Sequence, residues 1–253
     1  MSTAEAGMST AEAGEKVERA LMVAAHPDDV DFGAAGTVAL WTDAGIDVTY
    51  CIITDGDAGG HDASIRREDI PVIRRAEQTA AAKEVGVTDL VWLGYPDGAI
   101  EVNMALRWDI TRVIRTVRPQ RVMCQWPERN WRSIFASHPD HMAAGEATLC
   151  AVYPDARNPF AFADVPEAVG LAPHVVDEVW IMSAAIPDTF VDVTYVFDRK
   201  LAALRRHKSQ MNPAQGDPAG FLRDFLGAQA AAGGLPEGRL AESFLVRNTS
   251  ERP

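Results

Sequence analysis

LMVAAHPDD, residues 21–29, is the stretch from which the fold of this chain can be worked out. Its first five residues are apolar without interruption, which is typical of a strand buried on both faces. Pro27 ends that strand, and the carboxylates of Asp28 and Asp29 favour the positive end of a following helix, which we predict over residues 33–44. The stretch therefore predicts a buried strand that leads directly into a helix, with an imidazole and two carboxylates between them.

Apolar runs and helix-like spacing alternate along most of the remaining chain. The sequence predicts further strands at residues 46–53, 90–93, 121–125, 178–183 and 190–193, and further helices at residues 64–85, 104–117 and 197–210. Strands that alternate with helices at this interval are typical of βαβ units. We therefore predict an α/β fold with a doubly wound, mainly parallel sheet in a single domain.

Three segments lack clear periodicity. The first 14 residues repeat MSTAEAG twice, so residues 1–19 are predicted to be a disordered tail and residues 20–253 the folded domain. Residues 153–173 are rich in Pro and Ala and are predicted to form a long loop or lid. Residues 211–237 are predicted to be irregular around one short apolar turn, before residues 240–246 pack back on the domain.

Composition narrows the class of partner. The formal net charge of -12 argues against nucleic acid and anionic membrane, since both attract basic surfaces. The three cysteines have no C-x-x-C spacing and imply no disulfide framework, so we expect a cytoplasmic protein. No apolar run approaches the roughly 20 residues of a membrane span, and a secretory signal is not evident. The expected partner is a small molecule, and the sequence leaves open whether the chain forms a homo-oligomer.

Four polar loops are expected to meet at one edge of the sheet. His26 follows the first predicted strand, Asp57 the second, Asp97 the third and His138 the fourth. The carboxyl ends of parallel strands lie at the same edge, and ligands bind outside it in doubly wound sheets. The candidate site is therefore predicted at this edge.

A second cluster, SHPDH at residues 137–141, resembles the first and again follows an apolar run. Two imidazoles and one carboxylate leave coordination positions open, as in a catalytic zinc or non-haem iron site. The ligands best matched by the spacing are His26, Asp29 and His141. Either cluster alone could be a helix cap beside a surface imidazole, but two clusters at one sheet edge favour a metal site.

The flanking residues suit amide hydrolysis. Asp28, beside the predicted ligands, is expected to take a proton from the attacking water. His138 is expected on the other side of the substrate, with Asp140 holding its ring and favouring the imidazolium. A metal flanked by one base and one acid is an arrangement that can hydrolyse an amide.

Several motifs in this sequence resemble those of the LmbE-like, or PIG-L, family of metal-dependent deacetylases. They are AHPDD at residues 25–29, TDGD at 54–57, RRAE at 74–77 with Gly86-Val87, LGYPD at 93–97, HPDH at 138–141, the K-x-x-A-L-x-x-H-x-S-Q pattern over 200–210, and AESF at 241–244. The resemblance runs from about residue 20 to residue 246. Val30 stands where many members have Glu, and Asp57 replaces the longer Glu of the family loop.

The resemblance implies a Rossmann-like fold, zinc as the usual metal with Fe²⁺ as an option, and an N-acetylglucosamine-type substrate. It assigns roles residue by residue: His26, Asp29 and His141 as metal ligands; Asp28 as general base; His138 as acid and oxyanion stabiliser; Asp140 as the group that orients His138; and Asp57, Arg74 and Asp97 as substrate contacts. His207 becomes a candidate for the edge of the site, because its predicted helix carries one of the motifs.

Three functions remain open at this point. The leading hypothesis is zinc-dependent removal of an N-acetyl group from an N-acetylglucosamine-type sugar or a glycosylated small molecule. One alternative keeps the chemistry and changes the substrate to a thiol-sugar conjugate, as in mycothiol-type S-conjugate amidases. The other is a metal-occupied protein that binds a sugar without turnover, and the presence of both Asp28 and His138 weighs against it.

Overall fold

The computed structural model describes residues 17–131, 134, 137–211 and 216–250. Most of the predicted disordered tail, residues 1–16, lies outside these ranges. The last residue assigned to that tail, Arg19, already belongs to the first strand. Among the described residues, none of the helices has the length and apolar character needed to cross a bilayer.

Seven strands form one sheet in the described part of the chain. They are β1 (Arg19–Ala24), β2 (Asp47–Thr54), β3 (Asp89–Tyr95), β4 (Arg121–Gln125), β5 (Glu178–Met182), β6 (Thr189–Asp192) and β7 (Ala241–Asn248). Their order across the sheet is β3-β2-β1-β4-β5-β7-β6. The first five strands of this order pair in parallel, and β7 pairs antiparallel with both β5 and β6. The predicted α/β fold with a mainly parallel sheet is confirmed.

Seven α-helices accompany these strands in the described ranges. They are α1 (Asp29–Gly33), α2 (Ala35–Asp43), α3 (Ile70–Glu84), α4 (Met104–Val117), α5 (Pro139–Cys150), α6 (Phe197–Leu204) and α7 (Ala219–Ala232). Buried residues of α2, α6 and α7 belong to the core on one face of the sheet, while those of α4 and α5 belong to the core on the other face. The sheet is therefore doubly wound, as predicted.

The central position of β1 explains its composition. Residues 20–24 are fully buried, because β1 lies between β2 and β4 and its two faces contact different cores. The chain goes from β1 outward to β2 and β3, and then returns to β4 on the other side of β1. Such a reversal of strand order opens a crevice at the carboxyl ends of the two strands, which is where ligands bind in sheets of this kind.

Three predicted elements differ from the structure. The helix predicted over residues 33–44 begins only at Ala35, because Ala34, with a φ of -148° and a ψ of 4°, departs from helical geometry and separates α2 from the short helix α1 that precedes it. The helix predicted over residues 197–210 ends as an α-helix at Leu204, and a short 3₁₀ turn follows at Lys208–Gln210. The segment predicted to be irregular, residues 211–237, contains α7, whose buried Leu222, Leu226 and Ala230 recur every four residues.

Candidate metal centre

The two sequence clusters meet where β1 and β4 end. Gln125, at the end of β4, accepts a hydrogen bond from the backbone N–H of Ala25 to its Oε1 at 2.9 Å, which fixes the residue immediately before His26. Helix α5 packs against the same point, since a Cβ on its Gly145 would lie under 3.0 Å from the carbonyl oxygen of Gln125. The end of β4 thus sets the position of His26 on one side and of α5, which carries His141, on the other.

The three predicted metal ligands converge. Nδ1 of His26 lies 3.2 Å from Nε2 of His141 and 3.4 Å from Oδ2 of Asp29. Nε2 of His141 lies 3.0 Å from Oδ1 of Asp29. A tetrahedral ion with bonds of about 2.0–2.1 Å separates its ligand atoms by roughly 3.3 Å, so these distances fit donors that share one zinc-sized cation.

The second ring nitrogen of His26 faces two more carboxylates. Its Nε2 lies 3.1 Å from Oδ1 of Asp97 and 3.2 Å from Oδ2 of Asp140. Asp140 is itself fixed, because it accepts hydrogen bonds from the backbone N–H groups of Gly98 at 2.7 Å and Ile100 at 3.3 Å. Two further groups of potential ligand atoms therefore overlap the predicted set: His26, His138 and His141, and His26, Asp97 and Asp140.

The electrostatics of the centre favour a cation. Burial by itself would lower the pKa of His26, but its hydrogen bonds to Asp140, Asp29 and Asp97 raise that pKa to about 12. Burial would raise the pKa of Asp29, yet His141 and His26 hold it well below its usual value. Burial also opposes ionisation of Asp97 and Asp140, but the contacts with His26 lower the pKa of each. Three ionised carboxylates thus stabilise a positive charge on one imidazole, and a divalent cation bound at Nδ1 would take the place of that proton.

Asp28 has an unusual backbone. Its φ of 93° and ψ of -24° lie in the left-handed region, which costs a residue other than glycine on the order of 1–3 kcal/mol. Oδ2 of Asp28 accepts a hydrogen bond from Nη2 of Arg74 at 3.0 Å, and the backbone N–H of Asp28 donates to Oε1 of Gln78 at 2.7 Å. Burial raises the pKa of Asp28 to about 6, against the opposing charge of Arg74.

His138 is the residue before the first turn of α5, and it caps that helix. Its Nδ1 accepts a hydrogen bond from the backbone N–H of Asp140 at 3.2 Å. The ring is exposed, and its centroid lies 4.9 Å from that of His26 and 5.2 Å from that of His141. Burial of part of the ring and the neighbouring His26 and His141 lower the pKa of His138.

The expected pairing of Asp140 with His138 therefore needs correction. The carboxylate of Asp140 contacts His26 and two backbone N–H groups, and only the main chain of Asp140 contacts His138. The reason is that residues 138 and 140 are two apart at the start of α5, so their side chains do not share a face of the helix. The predicted preference of His138 for the imidazolium form also differs from the lowered pKa.

The three residues predicted to contact substrate have partners within the protein. Arg74 is only 3% exposed and donates to Pro27, Gly56 and Asp28. Asp97 contacts His26 as described above. Asp57 accepts hydrogen bonds from the backbone N–H of Asp97 at 2.8 Å and from Nε of Arg67 at 2.7 Å, and it lines a cavity of about 560 Å³ beside the ends of β2 and β3. Arg74 and Asp97 do not line this cavity.

A buried polar network supports the centre, and sequence reasoning missed most of it. Nε2 of His207 lies 2.7 Å from Oδ2 of Asp31, which also accepts a hydrogen bond from Nε2 of Gln78 at 2.8 Å. Nζ of Lys200 pairs with Oε1 of Glu242 at 2.7 Å and donates to the carbonyl oxygen of Asp31 at 2.9 Å. His207 is thus buried behind α1 rather than at the edge of the site. The signal for Gln78 was its place four residues after Arg74 on one helix face.

Comparison with known proteins gives consistent matches. Residues 21–152 match the family model PIG-L, described as GlcNAc-PI de-N-acetylase. The chain is 34% identical over 200 residues to diacetylchitobiose deacetylase of Thermococcus kodakarensis, covering 77% of this chain and 70% of the relative. It is 35% identical over 198 residues to a probable N-acetyl-alpha-D-glucosaminyl L-malate deacetylase 2 of Bacillus cereus, covering 75% of this chain and 82% of the relative. The crystal structure of N,N'-diacetylchitobiose deacetylase from Pyrococcus horikoshii with an inhibitor superposes with a TM-score of 0.83 at 28% identity, covering 92% of this chain and 85% of that one.

Proposed function

The chain belongs to the PIG-L family, and on that premise we propose that it removes the N-acetyl group from an N-acetylglucosamine-type sugar or glycosylated small molecule with zinc as its metal. Relatives named as deacetylases of acetylated sugars make its reaction class amide hydrolysis. The same names favour deacetylation over the amidase and the binding-only alternatives. The proposal for the site depends above all on one observation, which is the convergence of His26, Asp29 and His141 within 3.0–3.4 Å.

His26, Asp29 and His141 would hold the metal. A bound zinc ion supplies Lewis acidity toward the amide oxygen and makes water more acidic. Asp97 and Asp140 act on the opposite nitrogen of His26, where they fix the ring so that Nδ1 faces the other two ligands. Carboxylates that hold the second nitrogen of a metal-binding histidine are a recurring feature of such sites. Iron remains an option, because imidazole and carboxylate also bind Fe²⁺.

We assign Asp28 the role of general base. It adjoins the ligand Asp29, and Arg74 holds its carboxylate through Oδ2, which leaves Oδ1 to accept a proton from the attacking water. Arg74 thus acts through Asp28, whereas Asp57 at the edge of its cavity is the residue that we propose to contact substrate. The shorter side chain of Asp57, compared with the Glu of the family pattern, would then leave more room for the group attached to the sugar.

We assign His138 to stabilising the oxyanion through a neutral ring, rather than to the proton donation expected from the sequence. Because its Nδ1 accepts from the backbone N–H of Asp140, the neutral ring carries its proton on Nε2. The leaving amine receives the proton that Asp28 has taken from the attacking water, because a neutral ring that gave up its N–H proton would become an imidazolate. An N–H on the exposed side of the ring can stabilise the developing oxyanion without an imidazolium. The lowered pKa of His138 therefore agrees with this role.

Acetate release from a small panel of substrates tests the function. The panel contains N-acetylglucosamine, N,N'-diacetylchitobiose, N-acetylglucosaminyl malate, the inositol glycoside and a thiol-sugar conjugate, each offered to zinc-loaded protein. We expect acetate from at least one of the acetylated sugars. The substitution Asp28→Asn should lower kcat by about 10²–10⁴-fold while zinc content is kept. Cleavage of the thiol conjugate alone, or full activity of the Asp28→Asn variant, would contradict the proposal.

A further inference from the structure

We propose that Gln78 is a positioning residue for Asp28, the general base, and that it acts by holding the backbone of Asp28 in its left-handed conformation. This inference rests on the proposed function for the role of Asp28, and it adds a residue outside the sequence motifs. Gln78 is fully buried on α3, and it contacts Asp28 through the main chain rather than through the carboxylate.

The backbone of Asp28 needs an external anchor. A residue with a side chain seldom adopts a φ of 93°, and such a residue persists only where its surroundings fix it. Oε1 of Gln78 accepts from the N–H of Asp28 at 2.7 Å. Without this acceptor the N–H would lose its partner within the protein, or the peptide would rotate to reach another one. Either change would move the carboxylate relative to Asp29.

The side-chain amide of Gln78 is itself oriented by buried Asp31. Its Nε2 donates to Oδ2 of Asp31 at 2.8 Å, and Nε2 of His207 lies 2.7 Å from the same oxygen. A carboxylate accepts only from the NH₂ group of the amide, so the carbonyl oxygen of Gln78 must face Asp28. Asp31 is fully buried and His207 is 1% exposed, so neither group is free to rotate into water. The network therefore allows one orientation of the amide.

Two residues on one face of α3 bind Asp28, one at its carboxylate and the other at its backbone N–H. Arg74 lies one helical turn before Gln78, and it binds the carboxylate of Asp28 while Gln78 binds its N–H. Glu77 on the same helix is tied to Ser209, whose N–H and Oγ donate to it at 2.8 Å and 2.7 Å. The base is thus positioned from a helix that is anchored elsewhere in the fold, which is more rigid than a loop.

The test compares Gln78→Met with Gln120→Met. Gln120 is the control, a half-buried residue whose Oε1 likewise accepts from main-chain N–H groups, those of Glu18 at 3.2 Å and Arg19 at 2.9 Å, at the opposite end of β1. We expect Gln78→Met to lower kcat by about 10–100-fold with KM within about twofold and zinc content unchanged, since small displacements of a catalytic group have effects of this size. Gln120→Met should leave kcat within about twofold. Equal losses of kcat in the two variants, or a loss expressed only in KM, would overturn the proposal.

Amide hydrogen exchange by NMR tests the same contact without activity. In the unaltered protein the N–H of Asp28 should exchange slowly, although it precedes the first turn of α1. In Gln78→Met its exchange should be at least about tenfold faster, and in Gln120→Met it should be unchanged. Rapid exchange in the unaltered protein would overturn the proposal even if Gln78→Met does not fold. Failure of the acetate assay with a slowly exchanging, Gln78-dependent amide would instead contradict only the proposed function.

Discussion

His26 uses both of its ring nitrogens within the centre. Nδ1 faces Asp29 and His141, and Nε2 faces Asp97 and Asp140. These contacts are with one neighbour in sequence, with Asp97 in the loop after β3, and with two residues in the first turn of α5. A single imidazole therefore joins the proposed ligand set to the carboxylates behind it, and its loss would disturb both.

Metal content of two variants distinguishes the overlapping ligand sets. Asp29→Asn should lower the zinc retained after dialysis to well below one ion per chain, because an amide is a much weaker zinc ligand than a carboxylate. His138→Gln should keep the metal and lose activity, because we assign His138 to stabilising the oxyanion and not to binding the metal. Elemental analysis by mass spectrometry measures the zinc content of both variants, and acetate release measures their activity. Loss of zinc from His138→Gln with retention in Asp29→Asn would favour the set of His26, His138 and His141 instead.

Helix α5 places His138 and His141 through its packing on β4. Gly145 faces the end of that strand, and a Cβ at this position would lie under 3.0 Å from the carbonyl oxygen of Gln125. The backbone of a strand cannot yield as a flexible side chain can. The absence of a side chain at residue 145 is therefore what allows α5 to approach closely enough for His141 to reach His26.

Two glycine-to-alanine substitutions in helices test this packing. Gly145→Ala should lower the free energy of unfolding by about 1–3 kcal/mol and weaken zinc binding, because α5 must move away from β4. Gly227→Ala on α7 is the control, since no atom lies within 4 Å of its added Cβ, and it should stabilise the protein by about 0.5–1 kcal/mol. Denaturant unfolding and zinc titration measure the two effects. Unchanged stability and zinc affinity in Gly145→Ala would contradict this account of α5.

Negative charge dominates the whole molecule as well as the site. The formal net charge is -12, and Asp29, Asp97 and Asp140 lie together around His26 at the carboxyl edge of the sheet. Folding brings these carboxylates together from the start of α1, the loop after β3 and the start of α5. Their mutual repulsion is a cost of the fold that a bound divalent cation offsets, so metal binding and global stability should be linked.

Removal of the metal should lower the melting temperature of the whole chain. A ligand at about 100 times its Kd stabilises the native state by about 2.7 kcal/mol. For a protein of this size, that corresponds to roughly 5–10 °C in Tm. We expect this decrease when a chelator is added to zinc-loaded protein, and recovery when zinc is returned in excess. Calorimetry measures it, and the His26→Gln variant is the control that should not respond. Equal Tm values with and without metal would contradict the linkage.

The order of elements and the edge that carries the site followed from the sequence. Unbroken apolar runs such as residues 21–25 predict buried parallel strands, and parallel strands place His26 and His138 at one edge whatever the details of packing. Local signals were weaker where the periodicity was short. Helix α7 was not predicted because the Gly, Ala and Pro residues around it are typical of a loop. The break at Ala34 was not predicted because no Gly or Pro stands at that position.

By itself, the sequence determined the fold class, the family and the residue types that meet at the candidate centre, because these depend on hydrophobic pattern and on short motifs. Tertiary structure alone decided the partners of each side chain. Asp140 and Asp97 face His26, and Gln78 holds the N–H of Asp28, because residues that are distant in sequence are brought within hydrogen-bonding distance only by packing of the helices on the sheet. The physical reason is the range of each effect. Pattern and propensity act over a few residues, whereas these contacts join positions 50 to 114 residues apart.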